Sequence, residues 1–245
     1  MTRHVLITRN REDCKRLQEL VSGCDLLIRA YPVLRFETVD DPAGWQAVLH
    51  SGALDAGPST PARRLLLASP RAPRALVDQA HRHDADQVLT WPAEAVGPGT
   101  AGAARDAGLS VEITGPGIGE DLGRLLADRL EQPTIFLFAC GKDRRRELTD
   151  TLTEAGHTVL PVVVYRMRQT PPRELPPLGP RVDAVVLTSP RAARFYLESI
   201  GGRPLTCPHW ALGPTTRDAA GALGIDCRIP PRPDLESLAE ELCKS

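Results

Sequence analysis

Two stretches of similar sequence, VVLTSPRAARFY (185–196) and LLLASPRAPRAL (65–76), indicate the fold. Each begins with a run of aliphatic residues, passes through a Ser-Pro pair and continues with the apolar spacing of an amphipathic helix. Serine is favoured at a helix N-cap, and proline is favoured at the first helical position, where no N–H is needed. Both stretches therefore predict a buried strand followed directly by a helix, with Ser69 and Ser189 as the N-caps.

The same alternation of short apolar runs and longer amphipathic stretches extends along the chain. A helix is predicted over 10–21, and further strands are predicted at 4–8, 25–37, 134–139 and 158–165. Continuous apolar strands separated by helices are typical of parallel sheets that are covered on both faces. We expect an α/β fold in which parallel sheets are flanked by helices.

An internal repeat divides these elements into two similar halves. Four blocks recur in the same order, and the matched pairs are 5–37 with 136–167, 65–72 with 185–192, 91–113 with 209–229, and 120–130 with 234–243. Residues 36–44 and the proline-rich residues 168–180 follow the second strand of each half and predict extended linkers. The repeat predicts two similar domains, and by itself it allows a simple division into 1–130 and 131–245.

Charge and composition argue against several classes of protein. The chain has 245 residues and a net charge of −1, so no overall field would attract nucleic acid or a membrane surface. Neither a long apolar span nor a signal peptide is evident. The six cysteines lack the spacing of metal ligands, which predicts free thiols, and His81 and His83 are interpreted as a solvated helix face. We therefore expect a cytoplasmic protein with no metal site.

Helix N-termini at the carboxyl ends of parallel strands are the candidate ligand sites. The Ser-Pro pairs are accompanied by GPGT (97–100) and GPTT (213–216), each between a strand end and an alanine-rich helix. In open α/β sheets ligands bind at this edge, where free N–H groups attract anions. The four sites could also be no more than well-capped helices. If two similar domains turn these edges toward each other, the hydroxyls and backbone donors suit a large polyanion.

Motifs for other chemistries are missing from the sequence. The chain contains no phosphate loop, dinucleotide fingerprint, serine-hydrolase elbow or zinc-protease motif, so a nucleotide-binding enzyme is the weakest hypothesis. GPGIGED (115–121) is interpreted as a plain turn. The basic cluster GKDRRREL (141–148) is either a solvated first helical turn or a site for substrate carboxylates. Cys140 is interpreted as a packing residue, because nothing near it in the sequence would activate its thiolate.

The order and spacing of these segments resemble the uroporphyrinogen-III synthase family. The resemblance spans essentially the whole chain and rests on VLITR (5–9), YPVLRFE (31–37), FACGKDRRREL (138–148) with HTVLPVVVYRM (157–167), VVLTSPRAARFY, and ALGPTTRDAAGALG (211–224). It implies two α/β domains joined by two extended linkers, with the substrate in the cleft between the domains. The implied domains are 1–36 plus 172–245 and 40–165, and the implied linkers are 37–39 and 166–171.

The resemblance also implies a cofactor-free lyase reaction of tetrapyrrole (heme, siroheme or corrinoid) biosynthesis. The linear tetrapyrrole hydroxymethylbilane loses its terminal hydroxyl, and the far pyrrole attacks through its substituted carbon to form a spiro intermediate. Cleavage and reclosure then invert that ring, with net loss of water. The implied partner is this small-molecule polycarboxylate alone, acted on by a monomer. The rival hypothesis is a non-catalytic bilobal tetrapyrrole-binding or regulatory protein of the same fold.

The resemblance assigns roles to individual residues by position. Tyr165 matches a cleft tyrosine that could assist departure of the hydroxyl, and its alternative role is that of an amphipathic residue at the linker junction. The residues expected to bind substrate are Thr8, Arg9, Ser69, Thr100, Gly141, Lys142, Ser189, Thr215 and Thr216.

Overall fold

Strands and helices alternate along nearly the whole chain. The computed structural model describes residues 2–9, 11–55 and 61–244, apart from the side chains of residues 12 and 13. The strands in this part of the chain are β1 (Arg3–Ile7), β2 (Leu26–Ala30), β3 (Leu34–Thr38), β4 (Ala62–Leu67), β5 (Ala93–Ala95), β6 (Val111–Thr114), β7 (Thr134–Gly141), β8 (Thr158–Gln169), β9 (Ala184–Leu187), β10 (His209–Ala211) and β11 (Cys227–Arg228). The helices are α1 (Arg11–Leu20), α2 (Pro42–His50), α3 (Ala72–Arg82), α4 (Pro98–Asp106), α5 (Gly119–Arg129), α6 (Glu147–Glu154), α7 (Pro190–Ser199), α8 (Pro214–Gly221) and α9 (Leu235–Lys244).

The strands form two sheets that share one strand order. The first sheet has the order β11-β10-β9-β1-β2, and the second has the order β6-β5-β4-β7-β8-β3. Under the internal repeat, β9 corresponds to β4 and β1 corresponds to β7. Five strands therefore occupy equivalent places in the two sheets, and the second sheet has β3 as an additional edge strand. Most neighbouring strands run parallel, as β1 does with β2 and β9 and as β7 does with β4 and β8. The added strand β3 runs antiparallel to β8, since the Val39 N–H donates to the Val164 carbonyl and the Thr170 N–H donates to the Val33 carbonyl. The predicted α/β fold with parallel sheets is confirmed.

The chain divides into two compact units, and each unit draws on both halves of the repeat. Unit 1 consists of Met1–Arg35 with Arg168–Ser245, and unit 2 consists of Phe36–Met167. Unit 1 therefore combines the first block of the first half with the last three blocks of the second half, and unit 2 has the converse composition. The pairing of Val5 with Ala184 in adjacent parallel strands brings the two parts of unit 1 together.

The segments expected to link the domains are largely β-strand. β3 includes residues 37–38 and β8 includes residues 166–169. The Val39 N–H donates to the Val164 carbonyl at 3.2 Å. The prediction that the first linker extends to residue 44 is wrong, because α2 begins at Pro42 with Asp41 as its N-cap. The Asp41 carboxylate accepts a hydrogen bond from the Gly44 N–H at 3.0 Å, which starts the helix there.

The strands of unit 2 are covered on both faces. Leu65 and Leu67 of β4 pack with Leu76 of α3. Leu66 points to the opposite face and packs with Leu122 of α5. All five side chains are fully buried, and burying each stabilises the fold by roughly 1.5–3 kcal/mol.

Unit 1 repeats the arrangement of strands with helices on both faces. Leu6 of β1 packs with Tyr196 of α7 on one face of the sheet. Ile7 packs on the other face with Leu17 of α1 and Leu238 of α9. Since the side chains of successive strand residues alternate between the two faces, a continuous apolar strand is needed to fill both layers.

One of the two predicted serine caps is present. Ser189 is the N-cap of α7, and its hydroxyl accepts a hydrogen bond from the Ala192 N–H at 3.1 Å. The prediction for Ser69 is wrong, because α3 begins only at Ala72 with Arg71 at the cap position. In a helix that began at Pro70, Pro73 would be the fourth residue and could not donate the first intrahelical hydrogen bond.

A disulfide joins Cys24 to Cys243 within unit 1, with a Cα–Cα distance of 5.7 Å. The prediction that all six cysteines are free thiols is therefore wrong for this pair, while the other four remain thiols. The two cysteines are 219 residues apart in sequence. They meet because α1 and α9 pack on the same face of the sheet.

The surface loop predicted over 51–63 includes residues 56–60, which lie outside the described residues. Among the residues that the structure describes, no helix is both long and apolar enough to cross a membrane.

Candidate functional site

Three neighbouring strands of unit 1 end at one edge of its sheet. Thr8 directly follows β1, while Ser189 and Gly213 follow β9 and β10 by two residues each. The strand ends are level, since Ile7 pairs with Val186 in one ladder and Ala211 pairs with Leu187 in the next. Most of the substrate-binding residues predicted for this half of the molecule therefore lie at a single sheet edge.

Thr8 is buried at this edge, and its hydroxyl already has two partners. The hydroxyl donates to the Val186 carbonyl at 3.1 Å and accepts from the Thr188 N–H at 3.1 Å. The Thr188 hydroxyl donates in turn to the Thr8 carbonyl at 3.4 Å. Thr188 is not among the predicted site residues, although the triplet TSP contained it. The two threonines tie the ends of β1 and β9 together.

The other residues predicted at this edge differ in exposure. Thr215 is exposed and Thr216 is buried in the first turn of α8, whose N-cap is Gly213. No side chain caps α8. Pro214 has no N–H and the Thr216 N–H donates to the Gly213 carbonyl at 3.1 Å, which leaves the Thr215 N–H as the first-turn donor for an anion. Arg9 is partly buried, and its N–H donates to the Ile7 carbonyl at 2.8 Å.

Unit 2 has a cavity of about 250 Å³ at the corresponding edge of its sheet. Three of the predicted residues, Ser69, Gly141 and Tyr165, line this cavity. Thr100 is not part of the cavity wall, because it is buried in the first turn of α4. Lys142 also lies outside the wall; it is exposed, and its N–H donates to the Tyr165 carbonyl at 2.9 Å.

Tyr165 faces the cavity with its hydroxyl unengaged. Its ring lies 5.4 Å from the ring of Phe36, measured between centroids, and the side chain forms part of the cavity wall. Within the described part of the chain the hydroxyl has no hydrogen-bond partner. A phenol in this state can donate a hydrogen bond to a group that enters the cavity.

The basic cluster contributes two arginines to the same cavity. Arg144 and Arg145 are exposed residues of its wall, and the following helix, α6, begins only at Glu147. From this cluster the sequence analysis predicts that Lys142 binds substrate. The structure instead places Arg144 and Arg145 in the cavity wall. The same wall also carries Glu120 and Glu147, so the cavity has no net charge, and the two guanidinium groups are its donors for a carboxylate.

Cys140 lies in the cavity wall but is not an activated nucleophile. Burial raises the pKa of its thiol to about 11, although the positive charge of Arg144 acts in the opposite direction. The thiol lies 3.5 Å from the Val162 carbonyl, to which it donates. A thiol with this pKa is almost wholly protonated at neutral pH, which agrees with a packing role.

In the part of the chain that the structure describes, no group of three or more His, Cys, Asp or Glu side chains could hold a metal ion. The paired histidines noted in the sequence bind separate carboxylates. His81 lies 2.7 Å from Asp86 and His83 lies 2.9 Å from Asp40.

Comparisons with known proteins agree with this architecture. The model of the family described as Uroporphyrinogen-III synthase HemD (HEM4) matches residues 28–240. No curated protein sequence matches the chain at a significant level.

Two solved structures share the fold at low sequence identity. The uroporphyrinogen-III synthetase of Helicobacter pylori superposes with a TM-score of 0.63 at 18% identity, covering 99% of this chain and 98% of that one. A mutant uroporphyrinogen III synthase of Thermus thermophilus superposes with a TM-score of 0.58 at 19% identity, with coverages of 99% and 98%. Because the family model covers well over half of the sequence, the chain belongs to the uroporphyrinogen-III synthase family, a family of enzymes that act on a small molecule.

Proposed function

We propose that this protein is a uroporphyrinogen-III synthase, which cyclises hydroxymethylbilane to the type III macrocycle. The observation that carries the proposal is the family match over residues 28–240. The reaction would make the protein a lyase, because one molecule of water leaves the substrate and no electrons are gained or lost overall.

The chemistry places particular demands on the protein. Departure of the terminal hydroxyl as water leaves an electrophilic azafulvene, and attack by the substituted carbon of the far pyrrole forms a spiro intermediate. One bond of that intermediate then breaks and re-forms at the neighbouring carbon, which inverts the ring. The bilane also closes spontaneously to the type I isomer without inversion. The enzyme must therefore select one folded conformation of the substrate, and positioning can supply about 7–11 kcal/mol toward the barrier.

Tyr165 is the proposed acid for the first step. Its hydroxyl lines the unit 2 cavity and has no partner among the described residues. It can therefore donate to the departing hydroxyl of the bilane, which makes that group a better leaving group. Arg144 and Arg145 of the same cavity would hold a substrate carboxylate near it.

The remaining predicted residues are proposed to bind carboxylates. In unit 1 these are Arg9, Ser189, Thr215 and Thr216, with Thr8 acting through Thr188, and in unit 2 they are Ser69, Thr100, Gly141 and Lys142. The supporting observation is that they lie at or next to strand ends and helix starts. Exposed helix N-termini stabilise an anion by about 0.3–1 kcal/mol each, so several together are needed for a polycarboxylate.

The identity of the product isomer tests this proposal. Purified protein should be supplied with hydroxymethylbilane that is generated in the same reaction, and the products should be oxidised to porphyrins and separated by liquid chromatography. We expect mainly the type III isomer, against a control without the protein that gives type I. Type I product alone would refute the synthase assignment. Tight binding of the bilane without turnover would instead favour the non-catalytic binding protein.

A further inference from the structure

Gly141 lies directly against the aromatic ring of Tyr165. A Cβ atom added to Gly141 would be 2.7 Å from Cε2 of the tyrosine, 2.8 Å from Cζ and 3.0 Å from the hydroxyl oxygen. Contacts this short do not occur between a Cβ and a packed ring, so any residue larger than glycine requires the ring to move. The backbone of Gly141 lies outside the left-handed region. Glycine is therefore required at position 141 because a side chain there would overlap the ring of Tyr165.

The pairing of β7 with β8 holds the backbone of Tyr165 in this position. Cys140 pairs with Val163 and Gly141 pairs with Tyr165, so the ladder contains a bulge at Val164. Beyond the bulge, the Lys142 N–H donates to the Tyr165 carbonyl at 2.9 Å. Bulges re-aim side chains next to functional sites. The main chain of Tyr165 is thus fixed. A side chain at position 141 can therefore be accommodated only if the ring of Tyr165 moves.

We propose that Gly141 is a positioning residue for Tyr165, and this inference rests on the proposed function. The bare backbone of Gly141 sets where the phenol hydroxyl lies in the unit 2 cavity. A methyl group at Gly141 displaces the hydroxyl, and a displacement of about 1 Å in a reacting group can lower a rate by about 10²-fold. Gly141 can contact a carboxylate only through its main chain, which the added methyl group leaves in place, so we expect the effect on kcat and not on KM.

A double-mutant comparison separates positioning from a general structural role. We expect Gly141→Ala to lower kcat by about 10- to 100-fold with KM changed less than about threefold. In the Tyr165→Phe background, where no hydroxyl remains to be misplaced, Gly141→Ala should lower kcat by less than about twofold. Gly102→Ala is the matched control, because a Cβ on Gly102 meets no atom within 4 Å. An equal loss of kcat in both backgrounds would overturn the inference.

A second measurement does not depend on activity. The chain contains three tyrosines, so ring-labelled tyrosine gives a simple NMR spectrum in which Tyr165→Phe identifies the Tyr165 resonance. Gly141→Ala should shift that resonance and leave those of Tyr31 and Tyr196 in place. An unmoved Tyr165 resonance would overturn the inference. If the wild type made only the type I isomer, the proposed function would fail, while the resonance would still decide whether Gly141 sets the ring position.

Discussion

The hydroxyl oxygens of Thr8 and Thr188 lie 3.2 Å apart at the ends of two neighbouring parallel strands. Each hydroxyl also donates to a main-chain carbonyl across the gap, Thr8 to Val186 and Thr188 to Thr8 itself. Sequence positions 180 residues apart are joined in this way. The Ser189 cap follows immediately after Thr188, so this network sets where the predicted ligand edge of unit 1 begins.

Thr8→Val tests the contribution of this network to stability. Valine keeps the branched shape of threonine but leaves the Thr188 N–H without its acceptor, which should lower the free energy of unfolding by about 1–3 kcal/mol. Urea unfolding followed by circular dichroism measures the change. Thr215→Val, at an exposed position, should change the free energy by less than about 0.5 kcal/mol. Equal effects of the two substitutions would contradict the prediction.

The local elements could be predicted from the sequence because their signals are local. Ser189 followed by Pro190 specifies a helix start by itself, and the start is where it was expected. The prediction for the same pair at Ser69 is wrong because Pro73, three residues after Pro70, moves the start of α3 to Ala72. A single proline decided which of the two predictions was confirmed.

Long-range relationships were less accessible from the sequence. The repeat revealed equivalent blocks, but it did not show that β1 would pair with β9 instead of with a strand of its own half. The pairing of Cys24 with Cys243 depends on α1 and α9 packing together, which no spacing rule encodes. Likewise, Arg144 and Arg145 were part of a visible basic cluster, and only the cavity distinguishes them from Lys142.

The disulfide between Cys24 and Cys243 should stabilise unit 1 measurably. A crosslink restricts the unfolded chain, and typical values are about 2–4 kcal/mol. We expect a reductant to lower the thermal unfolding midpoint, and we expect the double variant Cys24→Ser/Cys243→Ser to match the reduced wild type and not respond to reductant.

Cys207→Ser is the control for this prediction, because Cys207 carries a thiol that is not part of the crosslink. That variant should retain the full loss of stability on reduction. A wild-type midpoint that is the same with and without reductant would show that the crosslink contributes nothing.

His209 is a buried histidine whose hydrogen bonds define its tautomer. Nδ1 lies 2.8 Å from the Cys207 carbonyl, which can only accept, so Nδ1 carries the hydrogen. Nε2 then accepts from the Tyr196 hydroxyl at 3.0 Å. Burial lowers the pKa of His209 in the folded protein, with the Cys207 carbonyl acting in the opposite direction.

The lowered pKa of His209 makes stability depend on pH. As the pH is lowered, His209 is protonated near pH 6.5 in the unfolded chain and only at a lower pH in the folded protein. The contribution of His209 to the free energy of unfolding is therefore fully present above about pH 6.5 and is lost as the pH falls toward the folded pKa. Each such histidine contributes at most about 1.4 kcal/mol per pH unit. Urea unfolding at pH 7.5, 6.5 and 5.5 should show this loss, and His209→Gln should reduce the slope.

His50→Gln is the control, because His50 is exposed, and it should leave the slope unchanged. Part of the slope should remain in His209→Gln, since burial also lowers the pKa of His157. If His209→Gln kept the wild-type slope in full, His209 would not be the source of the pH dependence.

Tyr165→Phe tests the acid role proposed for the phenol. The substitution removes only the hydroxyl, which has no protein partner among the described residues, so the free energy of unfolding should stay within about 0.5 kcal/mol of the wild-type value. General acid catalysis typically contributes about 10²–10⁴-fold, and we expect kcat for formation of the type III isomer to fall by about 10²-fold with little change in KM. Initial rates measured by product chromatography provide the readout.

Tyr31→Phe controls for the loss of a tyrosine hydroxyl as such, because the Tyr31 hydroxyl lies 3.3 Å from the Ser199 hydroxyl and Tyr31 is not among the residues that line the cavity. It should leave turnover unchanged. Wild-type turnover in Tyr165→Phe would remove the acid role and would leave positioning by the carboxylate-binding groups as the main source of catalysis. A parallel fall in kcat in both variants would point instead to a general effect of tyrosine loss on the fold.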